Sequence, residues 1–248
     1  MMTDEGAPGF FGKIPVVGDF VSRRLPRSFI APWDTWLQEA IVYSRDQLQE
    51  TWLETYLYSP IWRFVLAGGV AGSLPCHGIV MPSVDKAGRY FPITVVSFLP
   101  ANINPFEIVS GDQGWFDSAE DVALSVLAEN PPDIDVLDKN IIALGQPYES
   151  CSDDVGAASL SDIPSEQKLM CINLPSIGAT HKAALMLTKR MAELQYGAYS
   201  LWWSSAEEDA GSALIVCEGL PTEQASVSML LNNWRGAESE GPAVGSGS

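Results

Sequence analysis

Three residues with catalytic side chains lie close together in one short segment. His77, Ser83 and Asp85 are the residue types of a Ser-His-Asp triad, in which the imidazole takes the proton of the serine hydroxyl. That chemistry requires the serine on a strained turn, and the sequence lacks the GxSxG motif that builds one. On one extended strand, at about 3.3 Å per residue, the three side chains would spread over roughly 25 Å. The spacing therefore argues against nucleophilic catalysis.

Histidine and cysteine are too sparse for a recognisable metal site. His77 and His181 belong to no HExxH motif, and the sequence has no DxDxDG or clustered Asp motif. The cysteines lie far apart without CxxC spacing, which favours buried free thiols over a zinc site or a disulfide framework. They are Cys76, Cys151, Cys171 and Cys217. We predict no catalytic residue, no metal and no cofactor.

Basic residues are the remaining chemical candidates. They fall in two segments and are Arg23, Arg24, Arg27, Lys86 and Arg89. Cations brought together in this way can hold a carboxylate or a phosphate. Ion pairs with aspartates of the same segments would account for them equally well, and these are Asp19, Asp34 and Asp85. The sequence leaves both interpretations open.

The second basic segment lies at the tip of a predicted hairpin. Residues 77–84 (HGIVMPSV) and 90–100 (YFPITVVSFLP) have strand-like composition, and the polar stretch DKAG lies between them. Pro82 and Pro92 cannot donate a hydrogen bond to a sheet ladder, so we expect them at strand ends, bulges or edges.

Strand and helix patterns alternate along the rest of the chain. Residues 28–57 carry apolar side chains at three- and four-residue steps, which predicts an amphipathic helix that breaks once, near Ser44 or Arg45. The alternation predicts an α/β fold with a mixed β-sheet covered by helices on both faces, a three-layer α/β/α sandwich. We predict one domain over residues 1–234, with a mobile loop at 146–167 and a disordered tail at 235–248.

Charge is distributed unevenly. Residues 1–100 hold 9 acidic residues (Asp or Glu) and 8 basic ones (Lys or Arg), whereas residues 101–248 hold 22 acidic and 6 basic residues. The net charge of the chain is −17. Such a field disfavours nucleic acid and anionic membranes as partners. It is typical of a surface charged for solubility, or of one that steers a basic partner. No stretch reaches the roughly 18 uncharged apolar residues of a membrane helix, so we expect a cytoplasmic protein without membrane insertion.

Four stretches of the chain carry denser motifs. They are GFFGKIPVVGDFVSRRLP at 9–26, WDTWL at 33–37, SPIWRF at 59–64 and MPSVDKAGRYFPIT at 81–94. In order and spacing they resemble the TagF (also called ImpM) accessory proteins of bacterial type VI secretion. A looser resemblance continues through SLWWS at 200–204, and residues 101–167 carry none of the signature.

The resemblance implies a three-layer α/β/α fold and a regulator without enzymatic activity. Members of this family are understood to hold the secretion apparatus inactive after translation, and some bind its forkhead-associated scaffold protein. The implied partner of this chain is therefore that scaffold. The alternative is a small-ligand sensor for phosphate or nucleotide compounds, or a cryptic hydrolase, that uses the Arg/Asp clusters near residues 19–34 and 85–89.

The motif stretches contain our candidate site residues. We predict that they form either the main ion-pair network of the fold or its partner-binding surface. They are Arg23, Arg24, Trp33, Asp34, Asp85, Lys86, Arg89 and Tyr90.

Overall fold

The structure is a computed structural model, and most of the chain is described. The described residues are 6–111, 113–128, 133–145, 159–163, 169–173, 180–204 and 213–233, with the backbone alone for 159–163 and 169–173. The predicted disordered tail at 235–248 lies outside them. So does the predicted mobile loop at 146–167, apart from residues 159–163.

Two antiparallel sheets contain the strands of the described part of the chain. The larger sheet has seven strands in the order β2-β1-β5-β4-β3-β8-β9, and β6 pairs with β7 in a separate two-stranded sheet. The bounds are β1 Gly9–Gly12, β2 Val21–Arg23, β3 Trp62–Leu66, β4 Cys76–Met81, β5 Ile93–Phe98, β6 Ser159–Ile163, β7 Leu169–Asn173, β8 Tyr199–Ser204 and β9 Ile215–Glu218.

The predicted mixed sheet is wrong, because every neighbouring pair in the seven-stranded sheet is antiparallel. A parallel pair needs a crossover connection, whereas strands joined by short turns pair antiparallel. Here β3, β4 and β5 follow one another as hairpins, and the helices fall between strands that do not pair in parallel. The loop prediction at 146–167 is also corrected in part, since Ser159–Ile163 forms strand β6.

The described residues also form seven α-helices. Their bounds are α1 Arg27–Leu48, α2 Trp52–Leu57, α3 Pro105–Ser110, α4 Gly114–Ala128, α5 Ile134–Ala143, α6 Thr180–Tyr196 and α7 Glu223–Leu231. Of these, α1 and α2 cover the predicted helical segment 28–57. The predicted break in the long helix comes a few residues later than expected. A 3₁₀ turn at Gln49–Thr51 separates α1 from α2, and Gln49 has a left-handed φ of 46°. None of the described helices is long and apolar enough to cross a membrane.

Side chains of the central strands alternate between two hydrophobic clusters, as the period of two in a strand requires. Val65 and Ile79 join the first cluster, together with Phe116 of α4 and Leu137 of α5. The second cluster takes the intervening strand residues, including Phe64, Val80 and Trp202, with Trp33 of α1 and Met229 of α7. Helices therefore contribute to both clusters, and the strands between them are almost fully buried.

Candidate functional site

The hairpin between β4 and β5 closes at residues 85–89, as predicted. Strands β4 and β5 pair from Cys76–Phe98 to Met81–Ile93, and an isolated bridge joins Val84 to Tyr90. The Asp85 N–H donates to the Arg89 carbonyl at 3.0 Å, and the Gly88 N–H donates to the Asp85 carbonyl at 2.9 Å. Gly88 has a φ of 78°, which glycine adopts without strain. Pro82 and Pro92 flank the paired strands, where no ladder hydrogen bond is lost.

A single carboxylate organises this tip. The Asp85 side chain is fully buried, and its Oδ2 accepts from Lys13 Nζ at 3.0 Å and from Arg89 Nε at 2.7 Å. Its Oδ1 accepts from the backbone N–H groups of Ala87 and Arg89, both at 2.9 Å. Four donors therefore satisfy one buried charge, as a buried carboxylate requires.

Burial and hydrogen bonding act in opposite directions on this carboxyl. Burial raises the pKa of Asp85, but the Arg89 backbone N–H, the Lys13 ammonium, the Arg89 guanidinium and the Ala87 N–H together hold the pKa well below its ordinary value. The side chain is thus an anion at neutral pH.

The same contacts join the hairpin tip to a second loop, residues 13–20 of the first motif stretch. Lys13, at the start of that loop, forms an ion pair with Asp85. The Arg89 guanidinium donates to the Gly18 carbonyl, and the Lys86 N–H donates to the Val17 carbonyl at 3.2 Å. Ser83 adds a further link, since its hydroxyl donates to the Lys13 carbonyl at 2.7 Å. Two motif stretches distant in sequence are therefore held as one unit.

Several side chains of this unit point into solvent, and we call them the tip surface. They are Asp19, Phe20, Lys86 and Arg89. Phe20 is 42% exposed although its ring stacks on Phe11 and contacts Phe91 edge to face. The tip surface thus combines an aromatic ring with charges of both signs.

The other predicted site residues make their contacts elsewhere. Trp33 is buried and donates from its indole N–H to Thr94 at 2.9 Å. Asp34 accepts from Gln38 at 2.7 Å, one helical turn away. The structure therefore does not bring Trp33 and Asp34 into the Asp85 network.

The arginine pair also departs from the predicted ion pairs. Arg24 has a left-handed φ of 56°, and it pairs with Asp138 of α5 at 2.7 Å rather than with Asp19 or Asp34. Arg23 is exposed and donates to the carbonyl of its neighbour Ser22.

Tyr90 packs edge to face against two aromatic rings, Trp52 and Tyr56. The Tyr56 hydroxyl donates to the Ser83 carbonyl and accepts from the Ser83 N–H, both at 3.0 Å. Burial raises the pKa of this phenol far above its ordinary value. Tyr90 thus helps to fix the base of the hairpin to α2.

The three triad-type residues do not form a triad. His77 is fully buried, and among the described residues neither of its ring nitrogens has a hydrogen-bond partner. The Ser83 hydroxyl and the Asp85 carboxylate are each occupied by the contacts described above. Among the described residues no group of His, Cys, Asp and Glu could hold a metal ion.

The cysteine prediction is confirmed in part. Cys76 is a buried free thiol whose pKa burial raises, and Cys217 is free but only half-buried. Cys151 and the Cys171 side chain lie outside the described part of the chain.

Sequence reasoning missed two charged residues that the fold buries. Lys13, the partner of Asp85, is the one charged residue in the otherwise apolar sequence GFFGKIPVVG of the first motif. That isolation is the signal from which its burial could have been predicted. Arg63 of β3 lies in the SPIWRF motif, and its guanidinium contacts Glu120 at 2.6 Å and Asp117 at 2.7 Å. Burial lowers the pKa of Arg63, but the two carboxylates of α4 outweigh this and raise it.

The fold and its motif-bearing loops define an antiparallel α/β domain with a tightly knit hairpin tip, and comparisons place it in a family. Residues 9–144, more than half of the chain, match the TagF N-terminal domain family, which is type VI secretion system-associated. The chain therefore belongs to the TagF family.

A solved structure extends the likeness beyond the matched domain. The crystal structure of PA0076 from Pseudomonas aeruginosa PAO1 is 34% identical in sequence, with a TM-score of 0.76. The alignment covers 90% of this chain and 94% of that one. No curated protein matches the sequence.

Proposed function

We propose that the chain is a cytoplasmic, non-enzymatic regulator that represses type VI secretion by binding another component of the apparatus. Membership of the TagF family supports a role in type VI secretion. The expected partner is the forkhead-associated scaffold protein, which the family resemblance implies. We also infer a three-layer α/β/α arrangement, for which the contribution of helices to both hydrophobic clusters is the support.

One observation carries the proposal of binding at the tip surface. The first and last of the four motif stretches meet at the buried Asp85, and the contacts around it hold Phe20, Lys86 and Arg89 at the protein surface. An exposed aromatic ring and an exposed guanidinium on rigid backbone are typical of side chains that dominate protein interfaces. A loop ordered to this degree loses little conformational entropy on binding.

Calorimetric titration with the forkhead-associated scaffold of the same bacterium tests the partner. We expect a dissociation constant in or below the micromolar range, about −8 kcal/mol. Lys86→Glu should weaken binding by about tenfold or more without changing the melting temperature, because the Lys86 side chain is exposed and outside the Asp85 network. Lys139→Glu, an identical charge change on the exposed face of α5, is the matched control and should bind normally.

Two results would contradict the proposal at different levels. The absence of any heat of binding at several temperatures would exclude the scaffold as the direct partner. Unchanged secretion in a strain that lacks the chain would exclude repression itself. A rise in melting temperature with nucleotides or phosphate compounds would instead favour the small-ligand sensor, because a ligand that binds the folded state stabilises it by mass action.

Asp85→Asn tests the network beneath the surface. The substitution leaves the Lys13 ammonium, whose side chain is 9% exposed, without its counter-charge. We expect the melting temperature to fall by several degrees, because removing one partner of a buried ion pair leaves the other charge uncompensated. An unchanged melting temperature would mean that Asp85 does not organise the tip.

A further inference from the structure

A small apolar pocket lies on the side of the second hydrophobic cluster, and Pro82 and Pro92 at the base of the hairpin are among its lining residues. It is formed between α1, α7, the end of β4 and Pro92, which precedes β5, and its volume is about 70 Å³. Pockets for cofactors and drug-sized ligands measure about 300–1,000 Å³, so this one suits a single aliphatic side chain. Its lining is mostly apolar and includes Trp36, Leu37, Ala40, Pro60, Trp62 and Met229.

The pocket continues into an open groove along α1, which we call the α1–α7 groove. Trp36 and Ala40 line both the pocket and the adjoining groove, which passes residues 220–224. Glu39 and Glu223 then line both that groove and its extension to Asp46. The shared residues make the three depressions continuous.

The groove differs sharply in charge from the tip surface. Glu39, Asp46 and Glu223 are exposed along it, and no lysine or arginine is found among the described residues that line the pocket or the groove. A row of carboxylates without counter-charges attracts a basic partner and repels an acidic one.

One exposed apolar side chain lines the groove, and two more are neighbours in sequence of pocket residues. Val42, which lines the groove, is 70% exposed. Leu57 and Tyr58, which are 52% and 84% exposed, lie between the pocket residues Tyr56 and Ser59 in sequence. Exposed apolar side chains grouped around a pocket and bordered by charge mark an interaction site more often than a bare surface.

We propose that the α1–α7 groove binds a basic amphipathic segment of a partner protein. One leucine-sized side chain of that segment fills the pocket, and flanking lysines or arginines pair with Glu39, Asp46 and Glu223. This inference rests on the proposed function in one respect only, which is that the molecule bound in the groove is a protein.

Charge argues against the two occupants that the chain itself could supply. A second copy has 31 acidic and 14 basic residues, so two acidic molecules would be brought together. The predicted tail, residues 235–248, contains Glu238 and Glu240 and a single basic residue, Arg235, so it is acidic on balance. A basic segment from another protein is therefore the occupant that the groove fits.

A synthetic peptide tests the groove whichever protein supplies the natural segment. The probe is a labelled peptide of about 15 residues, with leucines at i, i+3 and i+7 on one helical face and lysines on the other. Its matched form has alanine at the leucine positions. At about 0.15 M salt, fluorescence anisotropy should show saturable binding of the leucine peptide, weaker by about tenfold or more for the alanine peptide.

Two charge-reversal variants separate the groove from general attraction to an acidic protein. Glu39→Lys/Glu223→Lys should weaken binding of the leucine peptide by about tenfold or more. Asp121→Lys/Asp135→Lys makes the same change in net charge on exposed positions of α4 and α5, and should weaken it by less than about threefold. Equal weakening in the two variants would overturn the proposal.

Two further readouts test the pocket. Ala40→Phe fills it, so the variant should lose its preference for the leucine peptide over the alanine peptide. If that variant does not fold, the Met229 methyl NMR signal of the unchanged protein serves instead, and it should shift with the leucine peptide only. Equal affinity of the unchanged protein for both peptides, or no saturable binding up to about millimolar peptide, would overturn the proposal.

These outcomes are independent of the proposed function. None of the peptide measurements uses the scaffold protein or secretion, so a failure of the groove leaves repression at the tip surface untouched. Conversely, unchanged secretion in a strain without the chain would refute repression while peptide binding to the groove persists.

Discussion

His77 offers a test of how burial governs stability in this fold. The ring lies on β4, fully buried, with its centroid 4.1 Å from that of Trp115 and 5.2 Å from that of Phe116. Within the described part of the chain neither ring nitrogen has a hydrogen-bond partner. Burial lowers the pKa of His77 to about 3, because an apolar site disfavours the imidazolium.

The lowered pKa makes stability depend on pH in a defined window. The ordinary pKa of histidine, 6.5, applies to the unfolded chain, so between pH 6.5 and about 3 the unfolded chain binds a proton that the folded chain does not. The free energy of unfolding therefore falls as the pH falls through this window. For His77 alone the loss is about 2 kcal/mol between about pH 7.5 and pH 5, and about 3 kcal/mol by pH 4.

His77→Leu should remove this dependence. Urea unfolding is followed by tryptophan fluorescence at about pH 7.5 and about pH 5. Between these two pH values the free energy of unfolding should fall by about 2 kcal/mol more in the unchanged protein than in the variant. Acidic residues titrate in both proteins, so their contribution cancels in the difference. His181→Leu, at an exposed position on α6, is the control and should follow the unchanged protein. Parallel pH curves for the unchanged protein and His77→Leu would refute the reasoning.

Two further substitutions probe the buried charge and the close packing of the sheet. Arg63→Met removes the ion pair with Glu120, whose side chain is 13% exposed, and should lower the free energy of unfolding by about 3 kcal/mol in urea. Arg63→Met/Glu120→Met also removes the carboxylate that faced the guanidinium, so it should recover most of this, and a larger loss in the double variant would contradict it. Gly78→Ala places a Cβ against the Val95 carbonyl oxygen and should cost about 3 kcal/mol or more. Gly18→Ala, with nothing within 4 Å of the added carbon, should change little, and equal effects would argue against a steric cause.

Local features of the fold were predictable because their signals are local. The hairpin at 77–100 has two prolines at its strand ends and a polar tip with glycine, and the structure pairs β4 with β5 there. The helix at 28–57 was predicted from its apolar period, although the break lies near Gln49 rather than near Ser44. The Trp52 indole donates to the Ser44 hydroxyl at 2.9 Å, a contact that the periodic pattern does not encode.

Strand order was not predictable in the same way. Strand β8 pairs with β3, and β1 pairs with β5, across long separations in sequence. An apolar strand pattern indicates burial but not the neighbour or its direction, so the alternation of strands and helices led to a mixed sheet where the sheet is antiparallel. Strand β6, with the sequence SLSDI, was missed because its polar residues resemble a loop.

In the candidate site, too, a contact local in sequence was predictable, whereas contacts between distant segments were not. Pairing of Asp85 with Arg89 was one of the predicted alternatives, and its four-residue separation makes it local. Lys13 was missed because its contact with Asp85 depends on the strand order of the sheet. Arg24 was assigned the wrong aspartates for the same reason, since Asp138 belongs to a helix outside the motif stretches.

The ion-pair network and the binding surface, posed by the sequence as alternatives, are compatible in the structure. Asp85 is buried and holds the backbone, whereas the Arg89 side chain is 58% exposed and both binds Asp85 and faces solvent. Arg89→Ala would therefore disturb the network and the surface together, and a loss of binding in that variant would have two causes. Lys86 takes part in the network through its backbone N–H alone, while its side chain is exposed. Substitution of Lys86 consequently separates recognition from folding, which substitution of Arg89 cannot do.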